Sequence, residues 1–149
     1  MLRLTNLADY SVVVMTAAAR NPDCSLSAAA VAVKTGIPVP TVAKVMGLLT
    51  RAGLLASSRG VAGGFRLARA TAAISVADIV EAVDGPIALT TCQHGLVASC
   101  ALEGSCAVRP HWGPINLAVR AALDAVSLAD LAGPAYRVVT AAPAIEVTA

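Results

Sequence analysis

Apolar residues recur at three- and four-residue intervals over most of this chain, and the polar breaks between the runs carry helix caps. Leu7, Val13, Val14, Ala17 and Ala18 share one helical face after Thr5 and Asn6, which predicts a first helix over Leu7 to Arg20. Ser25 or Ser27 starts a short second helix, Ala28 to Lys34, which stops at Gly36. Pro38 and Pro40 favour an extended turn and then a helix start, and Val42, Val45, Met46 and Leu49 make one apolar face over Thr41 to Ala52, with Gly53 as the stop signal. Two short strand-like runs follow, Leu54 to Ser58 and Phe65 to Arg69, on either side of the glycine-rich tip Arg59-Gly60-Val61-Ala62-Gly63-Gly64. Ser75 caps a helix with Val76, Ile79, Val80 and Val83 inward and Asp78 in its first turn.

Three helices with a tight turn between the second and third, then a hairpin, make a winged helix-turn-helix. The fold class expected is mainly α with a small β-hairpin, extended by a long helix for dimerisation. That long helix is signalled by Trp112, Ile115, Val119, Ala122 and Val126, a seam suited to pairing with another helix or to covering the chain's own core. Ser127 to Ala132 reads as a final helical turn, and the tail from Gly133 lacks a period and is expected to be mobile. The expected organisation is a DNA-binding domain over residues 1–84, a loop and dimerisation helix over 85–132, and the tail over 133–149.

Composition changes this picture in two places. Hydrophobic residues make up 57% of the 149 positions, but Arg20, Lys34 and Arg51 interrupt the apolar stretches before they reach membrane-spanning length, and no secretory leader pattern opens the chain. A soluble, cytoplasmic protein without a membrane partner is expected. Charge is divided: Met1 to Ile74 holds eight Lys or Arg against two acids, whereas Ser75 to Ala149 holds three against seven. The basic half is therefore the half to test against a polyanion, since Lys and Arg gain affinity for phosphates by releasing counterions. Thr41, Lys44 and Arg51 lie off the apolar stripe of the third helix, and Arg59, Arg66 and Arg69 surround the wing tip. Together they suit groove and phosphate contacts on double-stranded DNA, with a two-fold dimer reading half-sites about 34 Å apart. Cys-x-x-Cys, a phosphate-cradling loop and a Ser, His and acid set are all missing, so the chain does not read as an enzyme.

Cys92, Cys100 and Cys106 fall within fifteen residues, broken by Gly95 and Gly104. Thiolates there suit an iron-sulfur cluster or zinc, one ligand short of the usual four. The intervening stretches of seven and five residues are wider than those of zinc knuckles and favour the larger inorganic core. Zinc, a thiol redox protein and a zinc-stabilised interaction module stay open as rivals. Cys24 has no neighbouring thiol and reads as structural.

These features resemble the Rrf-two family of winged-helix regulators. The likeness runs through Leu4-Thr5 with Ala8-Asp9-Tyr10, Val42-Ala43-Lys44 with Arg51-Ala52-Gly53, Arg59-Gly60 with Gly63-Gly64-Phe65, Val76-Ala77-Asp78-Ile79-Val80, the three cysteines, Trp112, and Ser127-Leu128-Ala129-Asp130-Leu131. The opening Met1-Leu2-Arg3-Leu4 with Leu7-Ala8-Asp9-Tyr10-Ser11-Val12-Val13 is most similar to the branch regulating SUF-system cluster assembly. The resemblance implies a homodimeric, iron-sulfur-dependent regulator that represses cluster-assembly genes, with 2Fe-2S ahead of 4Fe-4S, or else a nitric-oxide or redox sensor of the same family. It implies Cys92, Cys100 and Cys106 as cluster ligands. In IscR-like members a histidine three residues after the last cysteine completes the set, but here Arg109 stands there. In NsrR-like members an aspartate of the partner subunit's first helix does so, and Asp9 occupies that position, ahead of His111 and His94. IscR-like members carry an acid and an amide where this chain has Ala43 and Lys44, so their DNA preference does not transfer.

Overall fold

The structure is a computed structural model describing residues 3–60, 63–90 and 105–134. Helix α1, Asn6–Ala19, starts where the Thr5 side chain accepts the Ala8 N–H. Helix α2, Ala28–Thr35, starts at Ser27, whose hydroxyl accepts the Ala30 N–H, and ends on Gly36 at φ 75°, a backbone that L side chains rarely adopt. The chain then bends by 117° into α3, Val39–Arg51, an angle in the range of helix-turn-helix units. The expected start at Thr41 is two residues late because Pro38 closes the extended turn and Pro40 sits inside the first helical turn, where its missing N–H costs nothing.

Strands β1, Leu55–Ser58, and β2, Gly64–Leu67, form the antiparallel hairpin, with Ala56 opposite Arg66 and Ser57 opposite Phe65. Leu26 exchanges two 2.9 Å backbone hydrogen bonds with Phe65, which seats the hairpin on the turn before α2. Gly64 permits this approach: a Cβ there would strike the Ser25 hydroxyl and come within 3.0 Å of the Leu26 carbonyl oxygen. After a short 3-10 turn, Thr71–Ala73, helix α4, Val76–Asp84, opens on a capping box between Ser75 and Asp78.

Val14, Met15, Val31, Val42, Val45, Met46, Leu49, Leu54, Ile74 and Ile79 form an almost wholly aliphatic core. Each such side chain, taken out of water, contributes about 1.5–3 kcal/mol. Helix α5, Arg109–Asp124, begins three residues before Trp112, because its first turn is polar and carries Pro110. Helix α6, Leu128–Ala132, returns to the helix-turn-helix: Leu128 is fully buried among the core side chains, and its N–H donates to the Ile74 carbonyl at 2.7 Å. Among the described residues no single helix is long and apolar enough to cross a membrane. The tail from Ala135 lies outside the described residues.

The seam expected on α5 divides in two. Val126 falls beyond the helix end and packs, with Leu123, on a second cluster built from Ala8, Val76 and Val80. Ile115 and Ala122 face outward, and Leu117 is 68% exposed. The stripe turned toward α4 is Asn116, Val119, Arg120 and Leu123, so it includes two polar positions that a search for apolar spacing passes over.

Candidate nucleic-acid interface and cysteine site

On α3, Val42, Val45, Met46 and Leu49 point into the core, which turns Lys44 and Arg51 to solvent and leaves Thr41 half-buried. Lys44 and Arg51 have no ion-pair partner among the described residues, and the same holds for Arg59 at the wing tip and Arg66 on β2. Four cations without an ion-pair partner among the described residues thus stand on the exposed face of α3 and on the adjoining hairpin, an arrangement suited to a polyanionic backbone. Arg69 differs from the expectation that grouped it with the wing tip. It lies past the end of β2, with Nη2 3.3 Å from the Asp78 carboxylate, and so ties the foot of the wing to the first turn of α4. The link spans nine residues across an irregular turn, which no local pattern signals.

Of the three clustered cysteines, Cys106 is described and Cys92 and Cys100 lie outside the described residues, as does His94. Cys106 is a free, half-buried thiol shortly before α5, with its carbonyl accepting the Arg109 N–H at 3.2 Å. The described residues alone contain no group of three or more His, Cys, Asp or Glu able to hold a metal ion. The donor chemistry is supplied instead by the sequence, where three thiols suit a soft iron or zinc centre. Asp9 lies exposed in the first turn of α1, with no side-chain hydrogen bond or ion pair among the described residues. His111 is exposed in the first turn of α5. Cys24 is exposed between α1 and α2 and takes no part in the core, which corrects its expected structural role: the α1–α2 connection runs over the surface.

The segment leading toward Cys92 is held by residues that spacing did not single out. Leu89 N–H donates to Asn116 Oδ1 at 3.0 Å and Ile87 N–H to Glu81 Oε1 at 3.3 Å. Arg120 Nε donates to both Glu81 oxygens, at 3.2 and 3.3 Å, and the hydrogen bond and charge of Glu81 raise the arginine pKa further above its ordinary value. A polar pair four residues apart, Asn116 and Arg120, was the available signal.

The sequence profile of the Rrf2 family, described as iron-dependent transcriptional regulators, matches residues 4–134. The HTH-type transcriptional regulator IscR of Yersinia pseudotuberculosis is 28% identical over 131 residues, covering 87% of this chain and 79% of that protein. Among solved structures, CymR, the global cysteine regulator of B. subtilis, is 26% identical with a TM-score of 0.69, covering 89% of this chain and 97% of its own. T. potens IscR is 25% identical with a TM-score of 0.63, covering 87% and 85%. A helix-turn-helix with a basic wing, matched along almost its whole described length by regulators, is a DNA-binding protein and not an enzyme, and the chain belongs to the Rrf2 family of transcriptional regulators.

Proposed function

We propose that the protein is a homodimeric, iron-sulfur-dependent repressor of cluster-assembly genes. The observation that carries this reading is the coincidence of an iron-dependent family profile with three thiols, Cys92, Cys100 and Cys106, in one segment. In this proposal those thiols and Asp9 of the partner subunit hold a cluster, 2Fe-2S ahead of 4Fe-4S, with His111 as the second choice for the fourth ligand. The cluster supplies a centre whose gain or loss registers iron and oxidants. An oxygen ligand binds iron more weakly than thiolate, and a carboxylate from the partner would make the site depend on how two protomers sit together. The exposed carboxylate of Asp9, without a side-chain partner among the described residues, supports that assignment. Thr41, Lys44, Arg51, Arg59 and Arg66 contact the DNA, with the helix in the major groove and the wing along the backbone.

Iron and sulfide are to be measured in protein purified without oxygen. Visible absorbance, with both elements near cluster stoichiometry per protomer, is expected and is lost on replacing the three cysteines by serine. Colourless protein holding one zinc per protomer would contradict the reading and favour a zinc-stabilised interaction module.

A further inference from the structure

Asn116 is a half-buried polar residue within α5. Its neighbours on the α4-facing stripe, Val119 and Leu123, are apolar, and Asn is a poorer helix former than Ala or Leu. What Asn116 adds is an acceptor for the Leu89 N–H, three residues before Cys92. One turn further along, Arg120 grips the Glu81 carboxylate that also accepts the Ile87 N–H, so α4 and α5 hold the arm over residues 87–89 between them. The far end of α5 reaches the start of α4. Asp124 accepts the Ser75 hydroxyl at 2.8 Å, and Ser75 forms the capping box with Asp78, the partner of Arg69 at the foot of the wing. The Val76 N–H donates to the Val126 carbonyl at 2.9 Å and closes the junction. Hydrogen bonds, ion pairs and the helix itself thus run without a break from the cysteine arm along α5 to the foot of the wing, a network of the kind that can carry coupling between sites.

We propose that Asn116 is a positioning residue: it fixes the arm leading into the cysteine segment to α5, and α5 carries the state of that segment to the wing. The second half rests on the proposed iron-sulfur function, whereas the first does not.

Two substitutions separate the roles. Asn116→Ala removes the acceptor and improves helix propensity, and Asn116→Asp keeps an acceptor oxygen. In iron-free protein, Asn116→Ala is expected to speed hydrogen exchange at the Leu89 amide about fivefold to tenfold without lowering the helix content, and Asn116→Asp to restore slow exchange. In anaerobic protein the ratio of DNA affinities with and without iron should fall about threefold or more in Asn116→Ala and recover in Asn116→Asp. Unchanged Leu89 exchange in Asn116→Ala overturns the positioning role, and faster exchange with an unchanged iron ratio overturns the coupling. Wild-type protein whose DNA affinity ignores iron defeats the iron-sulfur reading instead, and the exchange result on iron-free protein then decides the positioning role by itself.

Discussion

Lys44 and Arg59 stand on different elements, one on the outward face of α3 and one at the wing tip, and neither is neutralised by a described neighbour. If both meet phosphate, Lys44→Ala and Arg59→Ala should each weaken DNA binding about fivefold to tenfold and lower the slope of log affinity against log salt by about 1. Titrations at several salt concentrations read both quantities, and unchanged affinity and slope in both variants would place the DNA elsewhere. At this scale the sequence was legible where a side chain acts on its own backbone neighbours. Thr5, Ser27 and Ser75 cap the helices that their positions announce, because a hydroxyl three residues ahead of an N–H is a local relation. Arg69 to Asp78, Thr5 to Asp84 at 2.9 Å and Leu89 to Asn116 are relations made by the fold and leave no trace in spacing.

Among the elements, the helix-turn-helix and wing were readable because glycines, prolines and one-sided apolar faces agree on their limits. Helix α5 was readable only in part. Periodicity located the helix, but its polar first turn and the polar members of its α4-facing stripe do not register in a hydrophobic pattern. Helix α6 stands where the final helical turn over Ser127 to Ala132 was expected, and Leu128 makes it part of the core. Its start rests on a capping box in which Asp130 accepts the Ser127 N–H at 2.9 Å and hydroxyl at 2.6 Å, and these bonds hold the carboxyl below its ordinary pKa of 3.8. With the folded-state pKa depressed, the contribution to stability is present above the ordinary value and is lost as pH falls through the lowered one. Urea unfolding of wild type and Asp130→Ala should therefore show a stability difference that shrinks as pH drops below about 4. A difference that stays constant through that range would mean that the box contributes nothing through the charge.

At the scale of the whole molecule, charge is divided between elements. Helix α3 and the wing carry Lys44, Arg51, Arg59 and Arg66 and no acid, whereas Glu81 of α4 and Asp124 of α5 clamp these two helices to each other. Helix α5 is anchored through Asn116 and Arg120 near the cysteine arm and through Asp124 near the wing, and its Ile115, Leu117 and Ala122 face outward. In the proposed function this helix pairs with a second copy and reports on the cysteine segment. The most direct test of the account is the affinity of the anaerobically reconstituted protein for a DNA fragment selected from random sequence, measured before and after removal of iron, in wild type and in the variant with Cys92, Cys100 and Cys106 replaced by serine. The account predicts a change of about tenfold or more in wild type and a single affinity, indifferent to iron, in the serine variant. Equal affinities with and without iron in wild type, or a serine variant that keeps the response, would contradict it.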